Sequence, residues 1–304
     1  MQIKNIVIKL FKLITDSQYR SLILCNLGCF DTLDDKTYLK RKYKACMGKE
    51  LNLESPKTFN EKLQWLKLYD RKPEYTMMVD KYAVRKYVAD TIGEEYLIPL
   101  LGVWDNPNDI DFDALPNQFV LKCNHNSGLG MCICKDKSKL DIEKVKAELR
   151  KGLQQNYYLT SREWPYKDVP RKIVCEKYMQ DGNEECLTDY KFFCFNGNPK
   201  IMYIASDHAK QPKPDFFDMD FNKINMRMED PNSEKVHVKP ICFEKMKQIA
   251  TKLSSNTSFL RVDFYIINNK LYFGELTFFH MSGFAPINPE KWSYILGDWI
   301  KISG

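Results

Sequence analysis

One β-hairpin near the C-terminus constrains the fold of this chain more than any other segment. Residues 261–267 and 271–278 are both rich in Phe, Tyr, Ile and Val, and a short Asn-Asn-Lys break separates them. Alternation with a period of two, interrupted by an Asn-rich turn, is typical of paired antiparallel strands. The sequence therefore predicts that these two runs pair in an antiparallel sheet.

The predicted register places two carboxylates on one face of the hairpin. A three-residue turn gives the pairs Ile267–Leu271, Asp263–Glu275 and Arg261–Thr277. Carboxylates whose Cβ atoms are about 5 Å apart repel each other unless a cation lies between them, and Mg²⁺ shared with phosphate oxygens would serve. A solvated strand face is the alternative, but Leu271 and Phe273 on the same face indicate that something covers it.

Length and charge restrict the class of protein. A chain of 304 residues with 44% hydrophobic residues can bury a sizeable core, which we expect to form two lobes. The net charge of +6 suits a phosphate-bearing ligand or an anionic membrane surface. The sequence has no arginine-rich tract and no regular basic–aromatic interleaving, so no nucleic-acid partner is predicted.

The ten cysteines lie mostly within apolar runs rather than at the spacings of an extracellular disulfide framework. Reduced, buried thiols fit this pattern, and we predict a cytoplasmic protein. Cys123, His125, Cys132 and Cys134 are close in sequence. Because C-x-C is a poor zinc-chelating step, strand packing is the preferred interpretation of this group.

The N-terminus shows helical periodicity but neither a signal peptide nor a run of 18 apolar residues. Apolar residues recur on one helical face over residues 3–14. Such a helix suits either peripheral contact with the inner face of the cell membrane or docking on the chain's own domain. The basic run 40–44 would add attraction to anionic lipid, or it is simply solvated.

Helix and strand signals divide the rest of the chain. Thr58-Phe-Asn-Glu61 is a capping box that opens a helix, and a second helix is predicted from about Thr76 to Ala89. A Pro- and Asp-rich connector follows, and short strands begin near Gln118. We predict a basic helical extension at 1–55, a helical or α+β region at 56–116 with a short strand near Leu100 to Val103, a small lobe with a phosphate loop at 117–184, and a large lobe with the metal-binding hairpin at 185–304.

Several charged residues interrupt these strands. Lys122 ends an apolar strand directly before the polar loop 124–130, which contains two glycines. A lysine beside a loop with free backbone N–H groups suits phosphate, although the pattern is not a Walker P-loop. Glu176-Lys177-Tyr178 and Lys191 also stand within apolar or aromatic runs. Each lysine could instead extend to the edge of its strand.

As an ordered set, these motifs resemble the ATP-grasp fold. The set comprises Lys122 and its loop, Cys175 to Met179, Asp189-Tyr-Lys191, Arg261-Val-Asp263-Phe and Gly274-Glu275-Leu-Thr277. More closely, the chain resembles the teichuronopeptide-biosynthesis-like branch of bacterial ATP-grasp proteins, which are encoded with polysaccharide-assembly enzymes and often labelled glycosyltransferases. The resemblance covers roughly residues 56–302. It implies an α+β fold in which two lobes with antiparallel sheets enclose the nucleotide.

The resemblance implies a role for each matching residue. Lys122 and Lys191 would hold ATP phosphates, next to a phosphate loop formed by His125, Asn126, Ser127 and Gly128. Glu176, Lys177 and Tyr178 would grip adenine and ribose, partly by backbone. Asp263, Glu275 and Thr277 would coordinate Mg²⁺, while Arg261 and Lys191 would act in catalysis at the transferred phosphoryl group. ATP-grasp proteins usually carry Glu-x-Asn where this chain has Glu275-Leu-Thr277, so one metal site would be weaker or absent.

The resemblance also implies a reaction. A substrate carboxylate attacks the γ-phosphate of ATP to give an acyl phosphate, and an amine then displaces phosphate to form an amide. For this branch the expected acceptor is a uronic-acid carboxylate of a capsule, lipopolysaccharide or teichuronic-type glycan. The expected amine is an amino acid.

Three other functions remain open. Asp109-Ile-Asp111 and Asp218-Met-Asp220 have the D-x-D spacing of metal-dependent glycosyltransferases, although neither follows a clear buried strand. A sugar phosphotransferase would use the same ATP site. The third is a non-catalytic nucleotide-binding or scaffolding protein at the membrane, which the departure at Thr277 leaves open.

Overall fold

The computed structural model describes residues 13–182, 187–206, 213–233 and 235–302. Its helices are α1 Ser17–Asn26, α2 Asp35–Met47, α3 Phe59–Tyr69, α4 Glu74–Val79, α5 Val84–Ile92, α6 Ile142–Gln154, α7 Tyr157–Ser161, α8 Phe243–Ser254 and α9 Lys291–Trp299. Its strands are β1 Leu100–Trp104, β2 Phe119–Cys123, β3 Met131–Cys134, β4 Ile173–Lys177, β5 Asp189–Phe195, β6 Asn198–Ser206, β7 Lys213–Asp218, β8 Lys223–Ile224, β9 Arg227–Met228, β10 Phe259–Ile267, β11 Lys270–Thr277 and β12 Ile287–Asn288.

The strands form a small and a large antiparallel sheet. The small sheet has the order β1-β4-β2-β3 and the large sheet the order β11-β10-β5-β6-β7-β8, while β12 pairs with β9 separately. Helix α6 packs on β2 and β3, and α8 packs on β5, β6 and β10. The predicted α+β architecture with antiparallel sheets and N-terminal helices is confirmed.

Each layer has its own apolar core. Phe192 of the large sheet packs against Phe243 of α8, and Leu121 of the small sheet belongs to the same buried cluster as Leu149 of α6. A third cluster joins α1 and α2 to Phe284, which follows the C-terminal hairpin. Since burying one such side chain contributes about 1.5–3 kcal/mol, Phe284 ties the N-terminal helices to the hairpin region.

Two predictions about organisation are not decided by the fold. The predicted N-terminal helix, 3–14, lies almost entirely outside the described residues. The division into 1–55, 56–116, 117–184 and 185–304 stays a prediction, although β1, from the second of these parts, joins the small sheet. Within the described ranges, no helix is long and apolar enough to span a bilayer.

The predicted C-terminal hairpin is present as β10 and β11, but its turn is shorter than expected. Ile267 pairs with Lys270, one residue earlier than predicted, so that only Asn268 and Asn269 form the turn. Both have positive φ, 50° and 60°, as a two-residue type I′ turn requires and as asparagine tolerates. The prediction of a three-residue turn is therefore wrong.

A β-bulge then restores the predicted register at the far end of the hairpin. Phe264 pairs with Phe273 but Val262 pairs with Leu276, so β11 has one extra residue opposite Asp263. Beyond the bulge, the predicted pairing of residues 261 and 277 is confirmed. The shorter turn shifts the pairing by one residue, and the bulge shifts it back. The pairing next to the charged side chains is therefore the one that the sequence predicted.

The helix predicted from Thr76 to Ala89 is in fact two helices, α4 and α5. The chain breaks at Asp80, whose carboxylate accepts hydrogen bonds of 2.8 Å from the backbone N–H of Tyr82 and from Nδ2 of Asn124. An aspartate that bonds nearby backbone groups competes with helix continuation. The break leaves Lys81 facing the space between the sheets.

Gly297 marks the close approach of α9 to the start of α3. A Cβ at this position would lie 2.1 Å from the carbonyl oxygen of Lys57. We expect Gly297→Ala to lower the free energy of unfolding by about 1–3 kcal/mol, because α9 would have to move away. Urea unfolding followed by circular dichroism measures this. The exposed neighbour Asp298→Ala should cost under about 0.5 kcal/mol, and equal costs for the two variants would contradict the close packing.

Candidate active site

A cavity of about 830 Å³ opens between the two sheets. Its wall includes residues of the small sheet, of the β11 bulge and of the bend between α4 and α5. Seven of the predicted site residues line it: Lys122, Ser127, Gly128, Glu176, Lys177, Tyr178 and Glu275. Ligand sites in proteins typically measure about 300–1,000 Å³, so this cavity is large enough for a nucleotide and part of a second substrate.

A buried glutamate and two cations organise the small-sheet wall. Nζ of Lys122 lies 2.6 Å from Oε2 of Glu176, and NH1 of Arg85 lies 3.2 Å from its Oε1. Glu176 is only 8% exposed, so its charge needs these partners. Antiparallel pairing of β2 with β4 places the lysine and the glutamate on neighbouring strands. The sequence predicted both residues, but it did not indicate Arg85.

The predicted phosphate loop is divided between the cavity and the protein interior. His125 is buried with Nε2 at 3.1 Å from the carbonyl oxygen of Gln155, and Asn126 donates from Nδ2 to the carbonyl oxygen of Gly152. Burial lowers the pKa of His125. Neither side chain lines the cavity, whereas Ser127 does. The structure therefore brings only the second half of the predicted loop to the site.

Lys81 is a cavity residue that the sequence analysis missed. It lines the wall and donates from Nζ to the backbone carbonyl of Asn126 at 2.5 Å. Burial lowers the pKa of Lys81, and the nearby Glu275 carboxylate opposes that effect. The signal in the sequence was the acidic residue before it, Asp80, which ends α4 and turns the lysine inward.

The hairpin carboxylates are bridged by a guanidinium group. Arg261 contacts Asp263 through Nε at 2.7 Å and through NH2 at 2.6 Å, and its NH2 also lies 2.6 Å from Oε1 of Glu275. Nζ of Lys191 lies 2.5 Å from Oδ2 of Asp263. Although burial opposes it, the Asp263 carboxylate raises the pKa of Lys191. Arginine and lysine thus supply the positive charge that the sequence analysis assigned to a metal.

The two carboxylates differ in their access to the cavity. The Asp263 side chain is 1% exposed, and both of its oxygens are held by Arg261 and Lys191. The Glu275 side chain is 44% exposed and lines the cavity, with Oε1 accepting a hydrogen bond of 3.2 Å from the hydroxyl of Thr277. Asp263 could ligate a metal only after one of its cations released an oxygen.

The donor set fits a metal that is held mainly by its substrate. Across the described ranges, no cluster of three or more His, Cys, Asp or Glu side chains could hold an ion by itself. Mg²⁺ usually takes one or two carboxylates and completes its shell with phosphate oxygens and water. Glu275 can provide such a carboxylate at the cavity wall.

A neutral histidine completes the surroundings of Arg261. NH1 of Arg261 donates to Nδ1 of His280 at 2.9 Å, and the imidazole ring packs on Phe193 and Tyr203. Burial, together with Arg261 and Lys191, holds the pKa of His280 well below its usual value. His280 therefore stays uncharged and accepts the hydrogen bond. The sequence analysis assigned this residue no role.

Helix α3 holds the turn that carries His280. Met281, Ser282 and Gly283 all have positive φ, between 49° and 67°. Asn60, Gln64 and Lys67 project from one face of α3 and donate hydrogen bonds to carbonyl oxygens of Ser282, Gly283 and Ala285. A left-handed conformation in consecutive residues costs free energy and persists only where the surroundings enforce it. The polar side chains of α3 provide that restraint.

Comparison with known proteins gives one match over most of the chain. A family model described as TupA-like ATP-grasp matches residues 61–301. A search of curated proteins finds no match.

Several solved structures match the chain at low similarity. D-alanine–D-alanine ligase from Bacillus anthracis, complexed with ATP, is 16% identical with a TM-score of 0.39 over 66% of this chain and 53% of that one. D-alanine–D-alanine ligase from Helicobacter pylori is 13% identical with a TM-score of 0.43, covering 80% and 69%. N5-carboxyaminoimidazole synthetase from Staphylococcus aureus is 12% identical with a TM-score of 0.41, covering 74% and 52%. The chain thus spans 52–69% of the length of these three structures.

Because Asp263 and Glu275 differ in burial, replacing each with its uncharged amide should lower the free energy of unfolding by different amounts. Asp263→Asn removes the charge that faces both Arg261 and Lys191 in a buried position. We expect it to lower the free energy of unfolding by about 3–5 kcal/mol. Glu275→Gln is the matched control and should cost about 1 kcal/mol or less, because that side chain is solvated. Equal losses in denaturant unfolding of the two variants would contradict the assigned geometry.

The low pKa of His280 predicts an acid-dependent loss of stability. Below pH 6.5 the unfolded chain protonates this histidine while the folded chain does not, so stability falls as the pH falls. Between pH 7 and pH 5 this single group should cost the protein about 2 kcal/mol. The His280→Gln variant keeps an acceptor for Arg261 but lacks this titration. The free energy of unfolding of the variant, minus that of the unsubstituted protein, should therefore rise by about 2 kcal/mol between pH 7 and pH 5. A difference that stays constant across this pH range would refute the assignment.

Proposed function

The chain belongs to the TupA-like ATP-grasp family, and from this membership and the site geometry we propose that it is an ATP-dependent carboxylate–amine ligase. In this proposal the nucleotide occupies the cavity between the two sheets. The observation that carries it is the cavity wall, which Lys81, Lys122 and the bridged carboxylate Glu275 all line.

Charge on the cavity wall supports nucleotide binding. Lys81, Lys122, Lys135 and Lys177 all line the cavity. A triphosphate carries several negative charges and is bound best by positioned cations and backbone N–H groups. The loop residue Ser127 offers a hydroxyl on the same wall. These groups correspond to the phosphate-binding part of the predicted site, with Lys81 added.

Exposed apolar side chains support binding of the base. Met131 and Ile133 of β3 are 51% and 53% exposed and line the cavity together with Val120 and Met179. Large apolar side chains open to a cleft are typical of ligand sites. A purine ring would cover them. The segment from Glu176 to Tyr178 lines the same cavity and would contact adenine and ribose.

The proposed reaction forms an amide through an acyl phosphate. An oxygen of the substrate carboxylate attacks the γ-phosphorus, the bond to the bridging oxygen of ADP breaks, and ADP leaves. The nitrogen of an uncharged amine then attacks the acyl carbon, inorganic phosphate leaves, and the nitrogen loses its proton to phosphate or solvent. The protein contributes alignment and compensation of charge, so it needs no nucleophile of its own.

Arg261 and Lys191 would act from behind the carboxylates. Arg261 holds Glu275 at the cavity, and both cations add positive potential where the phosphoryl group is transferred. Mg²⁺ bound with ATP would offset phosphate charge, with Glu275 as its protein ligand. Asp263 would join only on release from Lys191, and the Thr277 hydroxyl, which already donates to Glu275, would be a weak ligand at most.

The acceptor and the location are the finer part of the proposal. The resemblance to teichuronopeptide-biosynthesis proteins favours a uronic-acid carboxylate of a bacterial capsule, lipopolysaccharide or teichuronic-type polysaccharide as acceptor, and an amino acid as amine. Such an enzyme would work in the cytoplasm or at the inner face of the membrane. Residues 3–14, with their amphipathic pattern, would provide peripheral contact there.

The two D-x-D segments give the glycosyltransferase alternative no support at the cavity. Asp111 accepts hydrogen bonds from the backbone N–H groups of Asp113 and Ala114, and Asp218 accepts them from Asp220 and Asn222. Both D-x-D segments therefore form local turns, and neither lines the cavity. A phosphotransferase acting on a sugar hydroxyl would use the same ATP site and is separated from a ligase only by its products.

Calorimetry tests the nucleotide site. Mg-ATP should bind the full chain, and Lys122→Met should weaken binding at least about tenfold, because one charge-assisted contact to phosphate contributes about 1.5–3 kcal/mol. Lys139→Met, which removes an exposed lysine outside the cavity, is the control and should leave the affinity unchanged. No uptake of Mg-ATP, or equal effects of the two substitutions, would contradict the proposal.

Product analysis separates the three reactions. The ligase should release ADP only when D-glucuronate and an amino acid are both present, and mass spectrometry should find the amide. Glu275→Gln should reduce turnover at least about a hundredfold, in line with the loss of one positioned charge at the reacting centre. Phosphorylated sugar without amide would indicate a phosphotransferase, and release of UDP from UDP-glucuronate would indicate a glycosyltransferase.

A further inference from the structure

Most of the net positive charge of the chain lies in its first 50 residues. They contain ten Lys and Arg residues and five Asp and Glu residues, so this segment holds five of the six net positive charges of the protein. The matching family model begins at residue 61 and therefore assigns the segment no function. Charge that is concentrated on one segment indicates an anionic partner for that segment.

The structure divides the basic run 40–44 between two faces of α2. Lys42 is buried, and its Nζ lies 2.5 Å from the carbonyl oxygen of Thr160. The other three cations of the run follow one another at spacings of three or four residues, so they share another face of the helix. These are Lys40, Arg41 and Lys44, and all three are exposed. Lys42 therefore has a structural role, while the other three cations lie on a face that is open to a ligand.

This basic face lines a groove of about 370 Å³ between α1 and α2. The side of the groove that α1 forms carries polar side chains that can donate hydrogen bonds, namely Ser17, Gln18 and Ser21. The groove and the cavity between the sheets share no lining residue. Cations together with neutral hydrogen-bond donors are the groups that bind phosphate in proteins.

Two of the cations in the groove are available to a ligand. The Arg41 guanidinium lies over the ring of Phe30, with Cζ 4.3 Å from the ring centroid. A stacked guanidinium keeps its N–H edge open for bidentate contact with phosphate oxygens. In the part of the chain that the structure describes, neither Lys40 nor Arg41 forms an ion pair with a carboxylate.

The third cation of the groove has a carboxylate partner. Lys44 is paired with Glu50, which also lines the groove. Both side chains are more than half exposed, at 58% and 75%, so the pair is weak and Glu50 can turn into solvent. A bound anion would therefore compete with Glu50 for Lys44.

We propose that the groove between α1 and α2 is a second anion site, which binds the phosphate group of a ligand. The inference does not depend on the proposed ligase function. Lys40 and Arg41 would supply the charge, and the hydroxyls of Ser17 and Ser21 would donate hydrogen bonds. The phosphate group can belong to a soluble phosphate ester or to the headgroup of a lipid, and the experiments below distinguish these two sources.

A titration followed by nuclear magnetic resonance tests the groove with a soluble probe. In the ¹⁵N-labelled full chain, the Nε–H signal that is lost in Arg41→Gln reports on Arg41. We expect this signal to shift saturably as glycerol 3-phosphate is added. Lys40→Gln should weaken binding at least about threefold, because it removes one cation. Glu50→Gln should tighten binding about threefold, because it removes a competing carboxylate.

Sedimentation with lipid vesicles tests the second source of phosphate. Vesicles of phosphatidylcholine are compared with vesicles that also contain phosphatidylglycerol. A lipid site predicts that Lys40→Gln and Arg41→Gln each reduce the fraction of protein bound to the anionic vesicles and that Glu50→Gln raises it. Residues 3–14 are the same in all variants, so their own contribution does not affect the comparison. Effects on glycerol 3-phosphate alone would assign the groove to a soluble ester, and effects on vesicles alone would assign it to a lipid.

Lys36→Gln is the matched control for both measurements. Lys36 is an exposed lysine of the same helix that does not line the groove. Its substitution lowers the net charge equally but should change binding less than about 1.5-fold. All the exchanged side chains are exposed, so every variant should keep the thermal unfolding midpoint of the unsubstituted protein. Equal effects of Lys36→Gln and Lys40→Gln would indicate attraction by net charge and would overturn the site, as would the absence of any response to both glycerol 3-phosphate and anionic vesicles.

Discussion

The guanidinium group of Arg261 lies between two carboxylates, and the rest of the site depends on that bridge. Asp263 and Glu275 are on adjoining strands, where unpaired negative charges would repel. Arg261 binds both, and Lys191 adds a second cation on the buried one. As a result Asp263 is an enclosed structural charge, while Glu275 is an accessible one that faces the cavity.

The bridge also connects the sheets to the helices before them. His280 accepts a hydrogen bond from Arg261, and its left-handed turn is held by Asn60, Gln64 and Lys67 of α3. A helix interior with three polar side chains on one face would ordinarily lie in solvent. Here that face is buried because it binds carbonyl oxygens that the turn leaves open. The helices of residues 59–92 are therefore part of the support of the site, and Lys81, in the bend between two of them, is part of its wall.

The sequence was sufficient to predict the elements that show a repeating pattern. It was insufficient where the backbone conformation of one or two residues determines the structure. Alternation predicted the C-terminal hairpin, and charge within apolar strands indicated Lys122, Glu176 and Glu275. The two-residue turn and the β11 bulge could not be predicted, because they depend on positive φ at Asn268 and Asn269 and on one extra residue. Lys81 was missed for a related reason: the apolar spacing runs on from α4 into α5, and only the side chain of Asp80 ends the first helix.

The most direct test of this account is a crystal structure of the full chain with Mn²⁺ and a non-hydrolysable ATP analogue, with the metal located by its anomalous scattering. The account predicts a manganese peak between Glu275 and the phosphate oxygens, phosphates at Lys81 and Lys122, and Arg261 still bound to Asp263. A metal more than one hydration shell from Glu275, or a nucleotide outside the cavity between the sheets, would contradict it.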